Sequence, residues 1–122
     1  MNFADMQSLC QTLPGSERDV KWGDAECHCV AGKMYAIFGL EHTPPRRLSI
    51  KVDAERFLEL TDQPGIEPAP YLARYHWVML TTDCPLPGDA IATLIRESHR
   101  LIVAKLPAKQ RRLLTQAVSE GA

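Results

Sequence analysis

The sequence is short of almost everything that announces catalysis. Its seven glycines build no phosphate-cradling loop: Gly32-Lys33 is a lone dipeptide, not a glycine-rich loop opening a helix, and this disfavours nucleotide binding by that route. The four cysteines, Cys10, Cys27, Cys29 and Cys84, include no C-x-x-C pair. The four histidines, His28, His42, His76 and His99, are scattered, and no serine or cysteine stands at a nucleophile elbow. Excess charge is missing too. Lys and Arg number 14 against 15 Asp and Glu, a formal −1, so binding to nucleic acid would need local clustering of cations. No apolar run approaches the ~20 residues of a membrane span. The start, Met1 to Leu13, is amphipathic and lacks the continuous apolar stretch of a secretory leader. The expectation is a cytoplasmic protein with free thiols and no membrane partner.

What is present is a folding chain. Apolar residues make up 45% and charged residues 24%, which excludes disorder as the main state. Residues 1–122 read as a single domain, long enough for one core without metal or disulfide staples. No repeat, low-complexity segment or linker interrupts it.

Phe3, Met6, Leu9, Cys10 and Leu13 recur at helical spacing, with Asn2 as cap, Asp5 in the first turn and Pro14-Gly15 as stop. The period then changes. Asp19 to Trp22 predicts a short extended piece, and Glu26 to Val30 a strand. Lys33 to Leu40 follows across the tight Ala31-Gly32 turn. Strict alternation would send Met34, Ala36, Phe38 and Leu40 one way and Lys33, Tyr35, Ile37 and Gly39 the other. In Arg47 to Val52, the residues Leu48, Ile50 and Val52 face the core, while Arg47, Ser49 and Lys51 face solvent, leaving one wet sheet face. Asp53 caps a helix over Ala54 to Leu60, and the proline-rich Gln63 to Tyr71 reads as irregular. His76 to Leu80 is another strand.

Asp89 to Lys105 is the longest helix, its apolar stripe running through Ile91, Leu94, Ile95, Ser98, Leu101 and Ile102. Pro107 opens a last helix that turns Leu113, Leu114, Ala117 and Val118 inward. The pattern predicts an α+β fold in two layers, an antiparallel sheet of about five strands covered on one face by helices.

Each chemical constellation has a plainer reading beside it. Cys27-His28-Cys29 suggests a metal, but on a strand the cysteines share one face and His28 takes the other, so two buried thiols acting as small hydrophobes fit better. Ser98 lies on the apolar stripe and reads as a satisfied core hydroxyl. Glu55 and Glu59 mark a solvated helix face. Tyr35, Tyr71, Tyr75 and Trp77 could stack bases, though packing is the commoner use. The basic residues form two groups. Lys33, Arg46, Arg47 and Lys51 lie on or beside hairpins, near Lys21. Lys105, Lys109, Arg111 and Arg112 sit where the last two helices meet. Such cations can straddle phosphates, or simply serve a wet sheet face and a helix C-terminus.

Leu13-Pro14-Gly15, Lys21-Trp22-Gly23, Gly32-Lys33-Met34-Tyr35, Leu48-Ser49-Ile50-Lys51, Pro64-Gly65-Ile66, Pro68-Ala69-Pro70-Tyr71, Trp77-Val78 and Glu97-Ser98 occur in that order. Together they resemble the MmcQ/YjbR-like family of small bacterial proteins, over about Phe3 to Leu114. The resemblance implies a frataxin-like or secretion-chaperone-like two-layer fold. It also implies a "double wing" surface for nucleic acid built from β-hairpins, and brings no catalytic residue or cofactor. Mapped here, the wings are the loops around Ala31-Gly32 and Glu41 to Arg47. His99 departs from the family pattern, which has an aromatic, usually Tyr, after Ser98.

The sequence thus leads to a non-enzymatic nucleic-acid-binding protein, its partner DNA. The contacts would come from Lys33, Arg46, Arg47, Lys51, Lys105, Lys109, Arg111 and Arg112. The alternatives are a protein-interaction module, docking a partner on the wet sheet face or the Pro64 to Tyr71 segment, and a small-ligand or metal domain using Cys27, Cys29 and nearby histidines. Oligomeric state is not specified.

Overall fold

The computed structural model describes residues 2–121, with side chains through Thr115. Helix α1 (Phe3–Thr12) leads into a four-strand meander, β1 (Ser16–Lys21), β2 (Ala25–Val30), β3 (Lys33–Gly39) and β4 (Arg47–Lys51). Helix α2 (Ala54–Thr61), the short β5 (Ile66–Pro68), a 3-10 turn (Ala73–Tyr75) and β6 (Trp77–Thr81) follow, then α3 (Gly88–Val103) and α4 (Ala108–Gly121). The fold is α+β, with six antiparallel strands in the order β1-β2-β3-β4-β6-β5. The strand beyond the expected five is β5, which pairs with β6 from inside the proline-rich stretch. It stops at Pro68, whose nitrogen has no proton to donate to a ladder. The other edge, β1, starts earlier than expected and carries Glu17, Arg18, Asp19 and Lys21.

Asn2 caps α1 as expected: its side chain accepts from the Asp5 backbone, and the Asp5 carboxylate accepts in return from the Asn2 N–H. Asp53 makes no side-chain cap on α2; its carboxylate lies 4.0 Å from Arg100.

All four helices contribute to one core on one side of the sheet. Met6 and Cys10 come from α1, Leu60 from α2, Ile91, Leu94 and Ile95 from α3, and the partly buried Leu114 from α4. They meet Val30, Phe38, Leu48, Ile50, Val78 and Leu80. Leu113, expected inward, is exposed, while Ala117 and Val118 lie beyond the described side chains. The opposite face has no helix. Its small apolar cluster is Ala25, Cys27 and Cys29, with Met34 and Ile37 against it.

Met34 and Tyr35 sit opposite to the faces that strict alternation assigns them. The β2–β3 register slips between His28, paired with Ala36, and Cys29, paired with Met34. Tyr35 is the extra residue of this bulge, so it turns into the core beside Ala36 while Met34 goes to the helix-free face. The Tyr35 hydroxyl is satisfied there, donating to the Cys10 carbonyl at 2.8 Å and bonding Ser16 Oγ at 2.6 Å.

Candidate functional site

In a meander, consecutive turns alternate between the two ends of the sheet. The Ala31-Gly32 turn precedes β3 and the Glu41 to Arg46 loop follows it, so seven residues of strand, roughly 23 Å, separate the two wings. They do not share a surface, and the basic residues divide accordingly.

At the first end, Ala31 and Gly32 both take positive φ, 51° and 78°, making a tight turn that presents Lys33 to solvent. The β3–β4 register carries the end of β4 to the same place, and with it Lys51. Lys51 was expected in solvent. It is buried, and its ammonium donates to the Tyr75 carbonyl at 2.6 Å. The turn before β6 covers the strand end and supplies that carbonyl. Burial holds the Lys51 pKa below the usual lysine range, and the neighbouring Lys105 ammonium pushes the same way. Lys51 and Lys105 belong to the two separate basic groups of the sequence, and the fold brings them side by side. Neither makes an ion pair among the described residues.

Helix α4 packs at this end too, with Leu114 against Gly15 and Val30. From His99 to Thr115 the chain holds Arg100, Lys105, Lys109, Arg111 and Arg112 and no carboxylate. Lys105, Lys109 and Arg112 are exposed. Arg111 is committed to the fold: its guanidinium donates to the Leu106 carbonyl at 2.7 Å and the Ala104 carbonyl at 3.3 Å, closing the C-terminal end of α3.

At the other end Arg46 is exposed, but Arg47 is bound by Glu41 through Nε–Oε1 at 2.5 Å and Nη2–Oε2 at 3.2 Å. The pair lies over Gly39, where a β-carbon would fall 2.4 Å from Arg47 Nε. The Arg47 guanidinium holds the Glu41 carboxyl below its usual range.

Cys27, His28 and Cys29 do not converge. The thiols lie on the helix-free face, and burial pushes both up. His28 is buried on the helix side, 2.9 Å from Glu26 Oε2, which also accepts from Gln7; Arg18 binds Oε1 at 2.8 Å. Burial alone would raise the Glu26 pKa, but these partners hold it below the usual range. Among the described residues, no group of three or more His, Cys, Asp or Glu side chains could hold a metal ion.

Of the aromatics named from sequence, Tyr35 and Trp77 are core, while Tyr71 and Tyr75 are exposed, Arg74 stacking on the Tyr75 ring at 4.7 Å. The aromatic that sequence reasoning missed is Trp22, 72% exposed. Its signal was its position beside Gly23 in a turn, where a large ring has nothing to pack on. Trp22 and Tyr71 line one groove of about 570 Å³ with Ala25, Met34, Ile37 and Arg47.

A model of the YjbR family matches residues 11–101. The chain belongs to the YjbR family. Among solved structures, a Deinococcus radiodurans protein with a DUF419 domain is similar at 32% identity and a TM-score of 0.81, over 92% of this chain and 86% of that one. A Pseudomonas syringae protein has the same fold at 24% identity. Its crystal structure gives a TM-score of 0.66 over 83% of this chain and 98% of its own, and its solution structure gives 0.63 over 83% and 92%. No curated protein matches. At His99, the departure from the YjbR pattern, the imidazole Nε2–H donates to the Pro14 carbonyl at 2.8 Å and the ring stands edge-on to Tyr35 at 5.1 Å. It ties α3 to the turn after α1. No described helix is long and apolar enough to cross a membrane.

Proposed function

We propose that this YjbR-family protein binds double-stranded DNA without catalysing a reaction, through the end of the sheet where the Ala31-Gly32 hairpin meets the α3–α4 junction. The observation that carries the reading is the closeness of Lys105 to Lys51, neither of them ion-paired among the described residues. Lys51 is buried and adds positive potential from beneath, while the exposed Lys105 is the group an anion can reach, and an anion there relieves the repulsion between them. The exposed Lys33, Lys109 and Arg112 extend this surface. The formal charge of −1 is compatible with it because the stretch from His99 to Thr115 is itself purely basic. Arg47 is paired at the opposite end, and Arg46 beside it lies outside the contact.

The test is anisotropy of a labelled duplex titrated at several salt concentrations. Affinity should fall with salt at about 0.9 log units per phosphate contact per log unit of salt. Replacing Lys33, Lys105, Lys109 and Arg112 singly with Ala should lower that slope and weaken all duplex sequences alike, whereas Arg46→Ala should change neither. No binding to duplex at low salt ends the reading.

A further inference from the structure

Trp22 and Tyr71 are the most exposed aromatic side chains among the described residues, at 72% and 99%. Both also have left-handed backbones, φ 55° and 66°. Bulky residues rarely adopt that conformation, which Gly and Asn enter at far lower cost. At Trp22 the local turn does not call for a ring: Gly23 follows at φ 79°, and a turn with two left-handed residues favours Asn at the first. Two unfavourable backbone positions therefore each hold a large ring, and both rings border the same groove. Strain of this kind gathers where a ligand is gripped.

The groove is formed on the helix-free face. Ala25, Met34 and Ile37 give it an apolar floor, and its volume of about 570 Å³ suits a small molecule. Its charge decides which kind. Arg47 is ion-paired with Glu41 through Nε and Nη2, which offsets most of its positive charge at the groove. The remaining charged residue of the lining is Asp24, exposed and without an ion pair among the described residues. Aromatic faces carry negative quadrupole potential. Two rings, a carboxylate and an apolar floor are complementary to a cation with a greasy body and opposed to an anion.

We propose that this groove binds a small organic cation of the alkyl- or aryl-ammonium class, held by Trp22, Tyr71 and Asp24. The site is separate from the basic end of the sheet, so its fate does not depend on whether DNA binds there.

The probe is benzyltrimethylammonium, with benzyl alcohol and benzenesulfonate as neutral and anionic comparators, added to the full chain and followed by NMR shifts of the Trp22 indole and Met34 methyl signals. The cation should bind most tightly and shift both. Trp22→Ala and Tyr71→Ala should each weaken it about two- to fivefold, the range of an exposed cation–π contact. Asp24→Asn should weaken the cation severalfold and leave benzyl alcohol unchanged. All three positions are exposed, so urea midpoints near wild type will show that folding is intact. Benzenesulfonate binding as well as the cation, or millimolar cation leaving both signals unmoved, overturns the proposal.

Discussion

The Ser98 hydroxyl donates to the Tyr35 carbonyl at 2.6 Å, across 63 residues of chain. The same oxygen accepts from the Lys51 backbone N–H at 3.0 Å. Continued one step, the β3–β4 register would place Tyr35 opposite Lys51. The bulge at Tyr35 disturbs the ladder there, and a serine from α3 stands between donor and acceptor. Ser98→Ala leaves two buried backbone groups without partners, at about 1–3 kcal/mol each when fully unsatisfied. The expected loss is about 2–4 kcal/mol, read as a lower urea midpoint at unchanged m-value.

Glycines separate by their surroundings. Gly65 has φ 81°, and a β-carbon there would fall 2.3 Å from the Asp83–Cys84 backbone, which cannot give way as a side chain could. Gly32 has φ 78° with nothing within 4 Å. Gly32→Ala should cost only the left-handed penalty, about 1–2 kcal/mol. Gly65→Ala should cost at least about 3 kcal/mol and detach β5 from β6, seen as lost amide-exchange protection in both strands.

Two buried groups, beside the exposed Glu41–Arg47 pair, contribute separable acid sensitivity. Burial holds His99 below the usual histidine range, partly offset by the Pro14 carbonyl. The unfolded chain then takes up its proton first, so stability is fully present above the ordinary value of 6.5 and falls away as pH drops through the lowered one. Glu26, also depressed, contributes stability above its ordinary value of 4.5 that is lost at lower pH still. His99→Phe should flatten the stability profile below pH 6.5, and Glu26→Gln the more acidic limb. Urea midpoints measured at several pH values distinguish them.

Trp22→Asn tests whether the strained turn is kept for something other than folding. Asn is at ease at φ 55°, and the indole gives up little packing at 72% exposure. The variant should gain about 1 kcal/mol of stability and lose the ammonium probe. A variant that is less stable than wild type would mean the ring supports the fold.

The alternation of Leu48, Ile50 and Val52 and the stripe of α3 were legible because each repeats over several residues, and the cap of α1 because Asn2 stands directly before an apolar helical period. The failures are local. Pro64 and Pro68 read as punctuation, yet three residues at an edge pair without needing a proton from Pro68. Alternation cannot announce where it breaks, so Tyr35 was assigned to the wrong face. Lys51 looked like the solvent partner of Ser49, but the covering turn comes from Tyr75, 24 residues away. The eight basic positions were readable as residues but not as a site. That consecutive turns of a meander point apart separates Arg46 and Arg47 from the rest, and only the packing of α3 and α4 sets Lys105 beside Lys51.

The two borders of the sheet bear on how the molecule can meet others. One is three residues long and ends at Pro68; the other alternates acid and base along Glu17, Arg18, Asp19 and Lys21. The short border offers little main chain to a foreign strand, and the six-residue border is guarded by its charges, which protects against fibre-like stacking of copies. Recognition by a borrowed strand is disfavoured at both borders for the same reasons, which leaves the faces and turns of the sheet as its places of contact.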